Sequence, residues 1–183
     1  MNDDIRTERL LLRPLRPADA DALFARFADW EVIRWLSTPP WPYTLEDAQS
    51  FIGAQMALAP DSRSYLAITL DGALIGGVDA RSSGPAGARA KAPVLGYWLA
   101  QPYWGRGLMS EAAQAFTRHV FTSAEHDTIY SGAFADNAAS LRVQEKLGFE
   151  RTGETMHYSR PRGEKLLHIN TELARSRFLA RCQ

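Results

Sequence analysis

Gly96-Tyr97-Trp98-Leu99-Ala100-Gln101-Pro102-Tyr103-Trp104-Gly105-Arg106-Gly107-Leu108-Met109-Ser110-Glu111 carries an apolar strand through a glycine-flanked turn directly into an amphipathic helix. A helix entered in this way presents unpaired backbone N–H groups and the positive end of its dipole to whatever lies in front of it. Gly105 and Gly107 lack a Cβ, so a diphosphate can approach the main chain closely, and Gly107 can take whatever φ the turn needs. The stretch reads as a phosphate-holding turn. In the helix behind it, Leu108, Ala112, Ala115, Phe116 and His119 or Val120 recur at helical spacing, while Glu111, Gln114 and Arg118 face away.

Two other phosphate motifs lack essential parts. No Gly-x-x-x-x-Gly-Lys-Ser/Thr occurs, so no lysine is placed to reach the terminal phosphate of a nucleoside triphosphate. The dinucleotide fingerprint needs a third glycine three residues after Gly107, where this chain has Ser110. Both a nucleoside triphosphate and NAD are therefore excluded as expected ligands.

Working outward, Leu10 to Leu12 is a short strand closed by Arg13-Pro14, and Pro17 suits the first turn of a helix with Ala20, Leu23, Phe24 and Phe27 on one face. Trp30 to Leu36 reads as a further helical turn, and Pro39-Pro40-Trp41-Pro42 as a stiff loop. Thr44-Leu45-Glu46-Asp47 resembles a capping box opening a helix with Leu45, Ala48, Ile52 and Met56 inward. Tyr65 to Leu70 and Leu74 to Val78 form a hairpin around Asp71-Gly72. Ser82 to Lys91 reads as a mobile connection to the strand Pro93 to Leu99. Thr128 to Phe134 is another strand, and Asn137 caps a helix that runs to Leu147 and stops at Gly148. From Phe149 a strand leads to the turn Pro161-Arg162-Gly163. In the last strand, Lys165 to Leu173, Leu167, Ile169, Thr171 and Leu173 alternate with Leu166, His168, Asn170 and Glu172.

A chain of 183 residues buries roughly 70% of its unfolded surface, enough for one core, so a single domain over 1–183 is expected. Lys plus Arg and Asp plus Glu number 21 each, which leaves no bulk field to recruit nucleic acid or an anionic membrane. Cys182 is the sole cysteine, so no intramolecular disulfide forms, and no apolar run reaches membrane-spanning length. The four histidines and one cysteine show no metal-ligand spacing, and no metal is expected. The chain reads as cytoplasmic.

Two linked signatures now stand together: Trp104-Gly105-Arg106-Gly107 between strand and helix, and, about thirty residues on, Asp136-Asn137-Ala138-Ala139-Ser140-Leu141-Arg142-Val143-Gln144-Glu145-Lys146-Leu147-Gly148-Phe149. In this order and spacing they resemble the GNAT superfamily of acetyl-CoA-dependent N-acetyltransferases. The opening Thr7-Glu8-Arg9-Leu10-Leu11-Leu12-Arg13 and the segment Leu45 to Ile52 look like its branch of ribosomal-protein N-terminal alanine acetyltransferases (RimJ/RimL-like). The resemblance covers nearly the whole chain. It implies an α/β (α+β) fold: a central mixed, mostly antiparallel sheet with helices on both faces and splayed fourth and fifth strands, with the pantetheine arm of acetyl-CoA lying in the gap.

By the same resemblance, backbone groups near Trp98 and Leu99 pair with that arm. The pyrophosphate rests on Trp104, Gly105, Arg106, Gly107, Leu108 and Met109 with the Ser110 hydroxyl nearby, and Asn137 bonds the arm from across the cleft. Arg106, Arg142 and Lys146 are candidates to approach the CoA phosphates. Two positions depart from the pattern: Trp104 and Met109 stand at the ends of the usual Gln/Arg-x-x-Gly-x-Gly/Ala loop, and Gln144 stands where many members carry the tyrosine that protonates the leaving thiolate.

The implied reaction is direct attack of a neutral primary amine on the thioester. The N–H near Leu99 stabilises the oxyanion, and Ser140 donates a hydrogen bond or proton to the thiolate. A protein N-terminal α-amine of pKa about 8 is neutralised at pH 7 for about 1.4 kcal/mol, against about 4.6 kcal/mol for a lysine amine. Spacing singles out no base among His157, His168, Glu31 and Asp79, and His119 on its apolar stripe reads as a core histidine. Trp41 and the loop Pro39 to Pro42 are candidates to wall the acceptor site. A small-molecule amine acceptor and a non-catalytic acyl-CoA sensor are the alternatives, and a homodimer is compatible with the resemblance.

Overall fold

The computed structural model describes residues 4–58, 65–82, 92–123 and 126–181. The connection expected over Ser82 to Lys91 lies, beyond Ser82, outside the described residues, as does Cys182. The elements run β1 (Ile5–Arg6), β2 (Leu10–Arg13), α1 (Ala20–Phe27), α2 (Trp30–Ile33), α3 (Leu45–Ala57), β3 (Tyr65–Leu70), β4 (Ala73–Ser82) and β5 (Pro93–Leu99), then α4 (Leu108–Ser123), β6 (Thr128–Phe134), α5 (Ala138–Leu147), β7 (Glu150–Ser159), β8 (Glu164–Ala174) and α6 (Arg175–Arg181). The strands make one sheet in the order β1-β2-β3-β4-β5-β6-β8-β7. Every neighbouring pair is antiparallel except β5 and β6.

Turn and cap chemistry fixes these boundaries. Asp71 and Gly72 take φ of 51° and 81°, the paired positive values of a tight hairpin turn. Thr44 and Asp47 close a reciprocal capping box on α3. Asn137 Oδ1 accepts from Ser140 N–H at 3.1 Å to cap α5, and Gly148 at φ 99° ends that helix.

Each face of the sheet carries its own core. On one, Leu95 and Leu99 of β5, Ile129 of β6 and Leu173 of β8 pack with Leu108, Ala112, Phe116 and Phe121 of α4 and with Phe178 of α6. On the other, Ala67, Leu74 and Trp98 pack with Leu23 and Phe27 of α1 and with Ala48 and Ile52 of α3. A bidentate Arg13–Asp19 pair, both contacts 2.7 Å and both side chains buried, ties β2 to the turn before α1.

Some expected faces shift. Met56, near the end of α3, and Leu167, in the first half of β8, are both exposed. The buried stripe of α4 includes Ala113, Thr117 and Phe121, while Ala115 and His119 are only half-buried. His119 is thus not a core residue; it borders the cleft described next.

β5 and β6 touch at only one registered pair, Val94 with Tyr130, backed by the Ser131 hydroxyl donating to Leu95 O at 2.9 Å. Beyond that stitch the two strands diverge. They are the fourth and fifth of the strands expected from sequence, displaced by one in the count because the two-residue β1 precedes them.

Candidate active site

The divergence opens a cleft of about 2350 Å³, bordered by the turn before α4 at one end and by α2, β7 and β8 at the other. That volume exceeds the 300–1000 Å³ typical of a one-ligand pocket, so it accommodates two reactants together.

At the turn, Gly105 and Gly107 take φ of 73° and 76°. Only residues without a Cβ adopt such values at low cost, so the sequence dictates the bend. Leu108, Met109 and Ser110 then open α4 with N–H groups that no preceding turn of helix can satisfy. Trp104, Gly105, Gly107, Leu108, Met109 and Ser110 border the cleft, and Met109 packs partly against the α4 core. Arg106 leans over the Tyr103 ring, 5.9 Å from its centroid, and is not among the bordering residues.

The bend is held by the chain's first segment, which sequence reasoning used only as part of the resemblance. Glu111, expected to face away, receives the Thr7 hydroxyl at 2.6 Å, Arg9 N–H at 3.0 Å and Arg9 Nε at 2.7 Å, while Arg9 Nη1 donates to Arg106 O at 3.1 Å. Burial pushes the Glu111 carboxyl up, but these bonds together hold it below the usual carboxylate range.

Along β5, Ala100 N–H donates to Ile75 O at 2.9 Å, so by strand alternation the N–H and C=O of Leu99 face the gap. Trp104 Nε1 fills that carbonyl at 2.7 Å, leaving the Leu99 N–H toward the cleft. The same alternation turns the main chain of Trp98 toward β4, and its indole packs in the α1–α3 core with Nε1 donating to Tyr65 Oη at 2.8 Å. The expectation that Trp98 pairs with an arm in the gap therefore passes to Tyr97, whose main chain shares the orientation of Leu99.

Across the gap, Ser140 Oγ lies 3.0 Å from Tyr97 Oη and 3.4 Å from Gln144 Nε2. Tyr97 was not singled out from the sequence, although it sits inside the deciding stretch. Burial raises its phenol pKa, so at neutral pH it keeps its proton. Gln144 is buried and fully engaged, donating to Gly132 O at 3.1 Å and receiving the Thr171 hydroxyl at 2.7 Å. With Oδ1 spent on capping, Asn137 has only its Nδ2 to offer the cleft, which it borders together with Arg142 and Lys146.

The opposite face of the gap is built differently. Alternation and the Val94–Tyr130 pairing put Gly96, Trp98, Gly132 and Phe134 on the α1–α3 side, with Asp79 opposite Gly96 and His168 opposite Phe134. Asp79 Oδ2 meets Arg81 Nε at 2.6 Å, and burial outweighs that pairing to raise its pKa. His157 and His168 stack with ring centroids 4.3 Å apart. Glu31 pairs with Arg34 at 3.3 Å and does not border the cleft. Pro39 and Pro40 border it, whereas Trp41 packs at a tilt against Trp30, ring centroids 5.2 Å apart, outside it. Arg162 closes this end, donating to Arg34 O at 2.8 Å and to Asp136 at 2.8 Å, with Trp35 and Phe134 4.9 and 5.4 Å from its guanidinium. Among the described residues no three His, Cys, Asp or Glu are grouped to hold a metal ion, and no helix is long and apolar enough to cross a membrane.

The sequence profile of the acetyltransferase (GNAT) domain matches residues 9–150, from the Arg9 clamp through α5. The chain belongs to the GNAT acetyltransferase family. The uncharacterized N-acetyltransferase YoaA of Bacillus subtilis is 29% identical over 157 residues, 84% of this chain and 86% of that one. The ribosomal-protein-S5-alanine acetyltransferase of Vibrio fischeri superposes with a TM-score of 0.80 at 21% identity, over 94% of this chain and 97% of that one. Mycobacterium smegmatis RimJ, solved in complex with CoA-disulfide, gives 0.78 at 24% identity over 91% and 82%. At these identities the two structures establish the GNAT fold. As a member of the family, the chain is an acetyl-CoA-dependent N-acetyltransferase.

Proposed function

We propose that the acceptor of this GNAT enzyme is a protein N-terminal α-amine. The observation that carries the reading is the state of the carboxylates in the cleft. Among the described residues three aspartates border it: Asp47 is spent on the Thr44 cap, Asp79 is paired with Arg81 and Asp136 with Arg162. A polyamine or aminoglycoside needs unengaged carboxylates, and these three are already matched. Apolar and aromatic walls from Trp35, Leu36, Pro39, Pro40 and Tyr43 suit a short extended peptide end instead. The fold shared with a neighbour named as a ribosomal-protein-S5-alanine acetyltransferase supports the reading.

In this reading acetyl-CoA places its pyrophosphate before Trp104 to Ser110 and its pantetheine arm along Tyr97 and Leu99, with Asn137 opposite. The amine nitrogen bonds to the acetyl carbon, the developing oxyanion takes the Leu99 N–H, and the C–S bond breaks. Ser140 hydrogen-bonds the departing thiolate, and the neutral Tyr97 phenol beside it stands where a proton can be relayed. Tyr97 thus supplies from β5 the hydroxyl that Gln144 cannot supply from α5. A single domain spanning 1–183 carries both reactants.

Release of free CoA thiol, measured with free and N-terminally blocked peptides and with polyamines and amino acids, tests the assignment. Thiol release with free N-termini alone is expected. Faster release with a small amine overturns the acceptor, and tight acetyl-CoA binding with no release under any acceptor favours a sensor.

A further inference from the structure

The sheet face that carries Asp79 also holds a histidine arranged for proton transfer, a role that rests on the amine acceptor proposed above, peptide or small molecule. We propose that His168 is the general base that takes the proton of the attacking amine through its Nε2.

Its tautomer follows from its neighbours. Asn170 Oδ1 already accepts from the Thr155 hydroxyl at 3.2 Å and lies 3.0 Å from His168 Nδ1, so Nδ1 carries the hydrogen and Nε2 the lone pair. Nε2 has no partner among the described residues. Phe134 meets the ring edge-on at 5.7 Å and His157 lies parallel on it, which together fix its plane.

Its position follows from Gly132. A Cβ there would fall within 2.3 Å of His168 Cε1, so the imidazole lies directly over a residue on the rim of the gap. The carbonyl of that same Gly132 holds Gln144, whose amide reaches Ser140. Base and leaving-group donor are thereby set on opposite faces of one strand, so each can reach its own end of the reacting group without competing for the same atom.

Burial, aided by His157 and opposed by the bond to Asn170, lowers the His168 pKa, so the ring is neutral at physiological pH. His157 faces it from β7. Asp136, paired with Arg162, follows β6, and β6 itself brings only Gly132 and Phe134. Across the gap stand Asp79 with Arg81 and the Tyr65 phenol. The step balances: Nε2 gains the proton the nitrogen loses as N–C forms, the C–S bond breaks with its electron pair on sulfur, and the thiolate takes its proton from the Ser140–Tyr97 hydroxyl pair on the far face.

The test compares wild type, His168→Gln and Asp79→Asn by steady-state thiol release across pH, with acetyl-CoA affinity from calorimetry and with both a peptide and a small amine as acceptors. His168→Gln should lower kcat about 100-fold, shift the acid limb to higher pH and leave acetyl-CoA affinity unchanged, while Asp79→Asn keeps the limb. A normal kcat and limb in His168→Gln, or their loss in Asp79→Asn alone, overturns the proposal. If only small amines are acetylated, the N-terminal acceptor falls, and the same comparison on the small amine still decides for or against His168. Independently of any variant, 15N shifts of the wild-type imidazole must show an unprotonated Nε2 at neutral pH; an Nε2–H tautomer overturns it.

Discussion

On one side of the β5–β6 gap the surface comes from consecutive residues: Tyr97 to Ser110 run through strand, bend and helix start, and mostly main chain faces the cleft. On the other side, Asp79, Phe134, His157 and His168 come from β4, β6, β7 and β8. The first half is a fixed geometry of amides, insensitive to side-chain identity except where glycine is needed or a clamp holds it. The second is a set of side chains whose meaning depends on what the sheet brings beside them. A family can therefore keep one cofactor grip while its acceptor end diverges.

Substitutions that act on one half alone separate these roles. Ser140→Ala and Tyr97→Phe should each lower kcat by about 100-fold while acetyl-CoA affinity by calorimetry changes less than about threefold; equal losses in both would assign the pair to binding. Gly107→Val forces a branched residue to φ 76° and should weaken acetyl-CoA binding by about 30-fold, with KM for the amine unmoved. Glu111→Gln loosens the clamp from Thr7 and Arg9 and should weaken acetyl-CoA by about tenfold; a change confined to the amine KM would break the division. Because the Glu111 pKa is depressed in the folded chain, its contribution is present above the unfolded carboxylate value and is lost as pH falls through the folded one. Acid unfolding below about pH 4 should accordingly be less steep in Glu111→Gln, read by circular dichroism. Trp41→Ala should change kcat and either KM less than twofold, since Trp41 packs against Trp30 outside the cleft.

The same contrast explains what could be read from the chain. The bend, the Asp71-Gly72 hairpin, the Thr44 box and the Gly148 stop depend on neighbours a few residues apart, and the structure has them where the sequence puts them. Met56 shares the helical stripe of Ala48 and Ile52 yet is exposed, because periodicity gives the direction of a side chain and not what lies opposite it. Glu111 was read as solvent-facing because its partners Thr7 and Arg9 are more than a hundred residues away. Tyr97 was overlooked because its significance lies in Ser140, on another element. His157 and His168 carried no signal in their spacing, since their stacking depends on the register of β7 against β8.

The narrow stitch at Val94–Tyr130 and Ser131–Leu95 has a mechanical side. It leaves β1 to β5 and β6 to β8 as two half-sheets sharing a short seam, so a molecule lying in the gap becomes a beam between them as well as a reactant. Occupancy should then harden the whole body: at a ligand concentration of 100 Kd the gain is about 2.7 kcal/mol, visible as a higher Tm. Amides flanking the seam on Gly96 to Leu99 and Gly132 to Phe134 should slow their hydrogen exchange more than those of β2 and β3 at the far edge.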